Sequence, residues 1–124
     1  MSHNQSLGKW GEDIAAKYLI QKGYSVLFRN WRSQYGELDL IVKLGEIISI
    51  IEVKTRRGTT LGWPEESITL IKQEHLINSC QAFIDENEKY ADLSFQIDVI
   101  AILVESEEMN SFHIRHYENA VIDL

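Results

Sequence analysis

Apolar residues recur at helical spacing over residues 6–22, where Leu7, Trp10, Ile14, Ala15, Tyr18 and Leu19 fall on one face. Ser6 is placed to cap this helix and Gly23 to end it. Gly11 lies inside the apolar stripe, which predicts a close approach to a sheet. The period then changes. Residues 24–32 read as a strand carrying Val26, Leu27, Phe28 and Trp31. Residues 36–44 alternate with period two, and residues 47–55 are rich in isoleucine on both faces, as in a central covered strand. A helix capped by Thr69 is predicted to run to about Glu86, with Leu70, Ile71, Leu76, Ile77, Cys80, Phe83 and Ile84 as its apolar face. Strands over 94–104 and 112–117 close the chain, with an acidic loop at 105–111 between them. The order is αβββαββ. It predicts an α/β fold in which a mixed central sheet is flanked by helices, with residues 1–124 forming one domain.

The chemistry hangs on one turn. Gly45-Glu46 suits a two-residue hairpin of type II′, which pairs Leu44 with Ile47. Counting back, Asp39 falls opposite Glu52 and Glu37 opposite Lys54, all on one face. A register one residue different would send Asp39 and Glu52 to opposite faces. Two carboxylates so close repel by about 4 kcal/mol at an effective dielectric of ~20. Either one is protonated or a cation lies between them, and Mg²⁺ or Mn²⁺ prefers such oxygen donors. Lys54, two residues past Glu52, is placed to orient water or to stabilise charge on a phosphate. A Glu-Val-Lys triplet can also be a solvated face with a cross-strand ion pair. Its position at the end of an apolar strand favours a functional role.

Composition modifies this picture at two points. The formal net charge of −7 argues against a polyanionic partner when taken whole. The charge is unevenly spread, however. Residues 1–60 hold nine Lys/Arg against six Asp/Glu, and residues 61–124 hold three against thirteen. Four of the six acids in the first half are Glu12, Glu37, Asp39 and Glu52, which leaves Arg32, Arg56 and Arg57 on a basic surface able to meet a phosphate backbone. The loop 56–66 borders the candidate site and offers Trp63 as an exposed-looking aromatic. The single cysteine, Cys80, cannot form an internal disulfide and falls on an apolar helix face, so core packing in a reduced cytoplasmic setting is expected. The first residues have no apolar run, so neither a secretory signal nor a membrane partner is expected. His113 and His116 point to opposite faces of a strand and His75 has no evident partner, so no histidine is assigned to catalysis.

The ordered set Gly8–Leu19, Asn30-Trp31-Arg32, Gly36-Glu-Leu-Asp-Leu-Ile41, Glu52-Val-Lys-Thr-Arg56, Pro64-Glu65, Lys72 and Ile97-Asp98-Val99 resembles the restriction-endonuclease-like superfamily. More specifically it is similar to the bacterial YraN family, related to archaeal Holliday-junction resolvases. That resemblance implies a Mg²⁺- or Mn²⁺-dependent endonuclease acting on DNA. Asp39, Glu52, the Val53 carbonyl and Glu12 from the first helix would be the metal ligands, and Lys54 the catalytic lysine. Arg32, Arg56, Arg57 and Lys72 would be backbone contacts, and a homodimer the assembly. A non-catalytic nucleic-acid or partner-binding protein on the same fold is the alternative left open by the acidic second half.

Overall fold

A computed structural model describes residues 6–58, 62–106 and 108–121. Its elements are α1 (Leu7–Gln21), β1 (Ser25–Ser33), β2 (Gly36–Leu44), β3 (Ile47–Arg57), α2 (Leu70–Glu86), β4 (Ser94–Ser106) and β5 (Ser111–Val121), with a 3₁₀ turn at Pro64–Ser67 and another at Glu88–Tyr90. The strands form one sheet in the order β1-β2-β3-β4-β5. All neighbours are antiparallel except β3 and β4, which are parallel and joined across α2. Parallel neighbours need such a crossover, because a tight turn can only reverse the chain. The fold is therefore α/β with a mixed sheet flanked by helices, in the expected element order.

Both helices start at the residues the sequence marks. Ser6 accepts from the Lys9 N–H at 3.1 Å, and Thr69 accepts from the Lys72 N–H at 3.1 Å. Each helix covers one face of the sheet. Trp10, Ile14 and Leu19 of α1 pack on Leu40, Val42, Ile51, Val53, Ile100 and Ile102. Leu76, Cys80 and Phe83 of α2 pack on Ile41, Ile48, Ile50 and Ile97. Burial raises the Cys80 thiol to about 11, as suits a packing residue. Contrary to expectation, Leu70 and Ile71 are exposed, because the first turn of α2 overhangs a cleft rather than the sheet. The last strand runs on to Val121, beyond the expected Tyr117. Its added residues Glu118, Asn119 and Ala120 are exposed, which is why their polarity reads as loop.

Gly11 does what its place in the stripe predicts. A Cβ built there would overlap Thr55 Oγ1 and lie 2.9 Å from Thr55 Cβ on β3. A β-branched side chain has little freedom to yield. Gly11→Ala is therefore expected to lower stability by about 1–3 kcal/mol, the usual cost of overpacking. This should occur even though alanine favours a helix over glycine by about 1 kcal/mol. Urea denaturation checks it: an unchanged midpoint would show that α1 can slide off the sheet at no cost.

Candidate metal and phosphate site

The β2–β3 hairpin has the register read from its turn. Leu44 pairs with Ile47, and the ladder continues to Leu40 and Ile51, with Gly45 at φ +60. The pairing expected next, Asp39 opposite Glu52, is not a backbone pair. The Asp39 carboxylate itself accepts the Val53 N–H at 2.8 Å, where a main-chain carbonyl would otherwise do so. The physical reason lies in the pleat. Leu40 packs with the α1-side cluster and Leu38 with the α2-side cluster, so the alternation breaks at Asp39. The expected Glu37–Lys54 pair is likewise absent from the ladder. Glu37 instead faces Arg32 across β1, with Arg32 Nη2 3.3 Å from Glu37 Oε2.

The shared face nevertheless holds. Asp39, Glu52, Lys72 and Glu37 line one cleft of about 400 Å³, together with Tyr35, Ile71 and His75. Glu52 is 4% exposed. Its Oε1 lies 3.2 Å from Lys72 Nζ and 3.8 Å from Lys54 Nζ. Thus Lys72, expected on the backbone-contact surface, sits within the carboxylate cluster. His75, left without a role, also lines the cleft.

Glu12 reaches the same region from the helix on the other face of the sheet. It does so through Asn30, a residue to which spacing alone assigned no part. Asn30 Nδ2 donates to Glu12 Oε1 and to Glu37 Oε1, both at 2.9 Å. Its backbone is left-handed, at φ 53, a conformation asparagine tolerates better than most residues. No sequence spacing announces a contact between residues 18 apart on different elements.

The electrostatics of the cluster follow from this crowding. Burial, then the charges of Glu52 and Glu12, push the Asp39 carboxyl up to about 7 against the pull of the Val53 N–H and Lys72. Burial, then the hydrogen bond and charge of Lys72, lower the Lys54 ammonium. Burial also pulls on Lys72, but its bonds to Lys54 and Glu52 outweigh that and raise it. Both amines thus face the one buried carboxylate of Glu52.

The remaining predicted contacts are dispersed. The Arg32 side chain is 83% exposed and lines the neighbouring cleft. Arg57 lines a different cleft with Gly58, Leu103, Val104 and Glu105, and Arg56 precedes it on the same strand. Trp63 is not the bare aromatic expected. The Arg115 guanidinium lies 3.3 Å from its ring centroid, and Arg115 and Tyr117 both bond Glu65 nearby. Residues 59–61 of that loop lie outside the described residues.

A second polar cluster lies on the α1 face. Asp98 is fully buried and accepts from Gln96, the Asn119 N–H and His116. His116 also bonds Tyr18 Oη at 3.0 Å. Ligand atoms of Asp98, His116 and Glu118 lie within 4.8 Å of one another. Both imidazole nitrogens are already engaged, however, so the cluster ties α1 to β4 and β5. Among the described residues no helix is long and apolar enough to cross a membrane.

The molecule is thus an α/β protein of mixed sheet whose carboxylate–lysine cleft opens beside the first turn of its second helix. Residues 11–102 match the model of the "Uncharacterised protein family UPF0102". The chain is 41% identical over 113 residues to a UPF0102 protein of Chloroherpeton thalassium, covering 91% of this chain and 87% of that one. It is 42% identical over 112 residues to one of Syntrophomonas wolfei, covering 90% and 96%. It is 36% identical over 120 residues to one of Flavobacterium psychrophilum, covering 97% of each. The chain belongs to this family, UPF0102 or YraN.

Proposed function

We propose that this protein is a metal-dependent endonuclease that hydrolyses DNA phosphodiester bonds. The observation that carries the reading is a half-buried Asp39 and a buried Glu52 lining one cleft with Lys72, while Lys54 also lies against Glu52. The donor set fits a hard divalent cation. Both acids offer oxygen, and burial and then the charge of Glu52 raise the Asp39 carboxyl, the condition a cation relieves. Asp39, Glu52 and the Val53 carbonyl would hold Mg²⁺ or Mn²⁺, with Glu12 brought to them through Asn30. When bound, the ion supplies Lewis-acid activation of the scissile phosphate.

The chain's own groups do the rest. Lys72 fixes the orientation of the Glu52 carboxylate from the first turn of α2. Lys54, beside Glu52, orients the attacking water or stabilises charge on the phosphate by donating to it. Arg32, Arg56 and Arg57 meet the backbone on either side.

The test is incubation with Mg²⁺ or Mn²⁺ and a panel of flap, four-way-junction, single-stranded and duplex DNA, with EDTA as control. Cleavage that EDTA stops and Glu52→Gln and Lys54→Met both abolish is the expected outcome. DNA binding without cleavage would instead support a non-catalytic binding protein, the reading that the excess acid of residues 61–124 favours.

A further inference from the structure

Among the described residues Tyr35 is the one Phe, Tyr or Trp that lines the carboxylate cleft, and the turn that carries it is firmly held. β1 and β2 are joined by Gln34 and Tyr35, with Ser33 paired to Gly36. The Ser33 hydroxyl donates to the Gly36 carbonyl at 3.1 Å and accepts the Tyr35 N–H at 3.0 Å. It also meets the Ser79 hydroxyl at 2.9 Å, and Ser79 is buried on α2. With the Ser33 proton given to Gly36, Ser79 is the donor in that pair. The turn is thereby bolted to a helix. Yet the Tyr35 side chain is 40% exposed, although tyrosine surface is favourable to bury.

Tyr35 forms a wall common to two clefts. On one side is the cleft of Asp39, Glu52 and Lys72, with Ile71 on its far rim, 67% exposed. On the other is a cleft of about 630 Å³ that includes Arg32, Asn78, Asp85 and Glu86. The charges of the two differ in what they admit. Lys72 lines the first, with Lys54 behind it against Glu52, and can receive a phosphate there. The second sets Asp85 and Glu86 against the single cation Arg32, so it favours a phosphate less than the first does and does not repel a neutral base. Its volume falls within the range of small-molecule sites.

We propose that Tyr35 is a stacking wedge that receives an unpaired base beside the scissile phosphate, so that the substrate is DNA with single-stranded character at the cut. This deepens the nuclease reading above and rests on it for the position of the phosphate. Stacking on an aromatic ring tolerates any base, so the site selects an unpaired nucleotide without selecting its sequence. A paired base in a duplex is already stacked on both sides and offers the ring no free face.

The experiment compares three DNAs in Ca²⁺: a duplex with an overhang whose first unpaired base is 2-aminopurine, the same overhang with an abasic site there, and a blunt duplex. Anisotropy reads affinity and 2-aminopurine fluorescence reads stacking. The full chain is expected to bind the first about tenfold more tightly than the second, with quenched fluorescence. Tyr35→Phe keeps both effects, and Tyr35→Ala loses both while melting as the wild type does. Equal affinity for the base and the abasic overhang, or an unaltered preference in Tyr35→Ala, overturns the wedge. Preference for the same overhang made of RNA overturns the assignment to DNA. Failure to bind any of these DNAs overturns both this inference and the nuclease reading. Tyr35-dependent stacking without Mg²⁺-dependent cleavage sustains the wedge and removes only the hydrolytic reading.

Discussion

Asp39→Asn will melt about 10 °C higher than the wild type at pH 8 in EDTA, and will cleave nothing. The carboxyl of Asp39 titrates near 7 in the folded protein against 3.8 as a model group. A group with its folded pKa raised binds more protons folded than unfolded between those two values. Its cost to stability is therefore nil below about pH 4, grows as the pH rises through the interval, and is complete above about 7. About three pH units at 1.36 kcal/mol each give a cost on the order of 3–4 kcal/mol. At this chain length that corresponds to roughly 10 °C or somewhat more. Asparagine removes the charge and keeps an oxygen to accept the Val53 N–H, so the hydrogen bond at 2.8 Å survives.

Melting curves at pH 5, 6, 7 and 8 read the result: the gain should be largest at pH 8 and fade toward pH 5. Adding Mg²⁺ should raise the wild type and leave the variant where it is, because binding to the folded state alone stabilises it. If the variant is no more stable than the wild type at pH 8, Asp39 and Glu52 do not strain one another and the cation argument fails. A gain of that size in the variant would mark a carboxylate kept at the fold's expense, the usual signature of a site kept for function.

What the sequence made legible follows physical periodicity. The two caps, the helix faces and the β2–β3 register rest on short-range rules of spacing and turn geometry, and they hold at Ser6, Thr69 and the Leu44–Ile47 pair. The candidate site was legible only as far as one hairpin reaches, namely Asp39, Glu52 and Lys54. Lys72 and Asn30 come from elements whose position depends on how α2 crosses over and where β1 lies, and no local rule fixes either. Trp63 shows the opposite error. A tryptophan in a glycine-containing loop reads as exposed until Arg115, 52 residues further along, is folded over its ring. His113 and His116 do face opposite ways, His113 to Glu105 and His116 to the α1 side. The real partners of His116, Tyr18 and Asp98, lie on other elements.

Asp98→Ala will unfold at a far lower temperature than the wild type without touching the chemistry of the cleft. Asp98 is 0% exposed and accepts three bonds, from Gln96 Nε2 at 3.0 Å, the Asn119 N–H at 2.9 Å and His116 Nε2 at 2.9 Å. A ring that donates from Nε2 leaves Nδ1 to accept from Tyr18 Oη, so the chain of bonds fixes the imidazole tautomer. One carboxylate thereby joins α1, β4 and β5. Its removal leaves the buried His116 ring without its acceptor and takes the acceptor of the Asn119 N–H as well. A buried donor left without its acceptor costs about 1–3 kcal/mol, and the carboxylate serves three donors. His116→Ala alone should cost less, because Asp98 keeps two donors. The double variant should cost less than the two single costs added together, since neither partner is then left facing an absent one. The side chain of Asp98 projects to the α1 face, whereas Glu52 faces α2. Cleavage per folded molecule at low temperature should therefore match the wild type. A variant that kept its melting temperature but lost cleavage would move Asp98 from the scaffold into the chemistry.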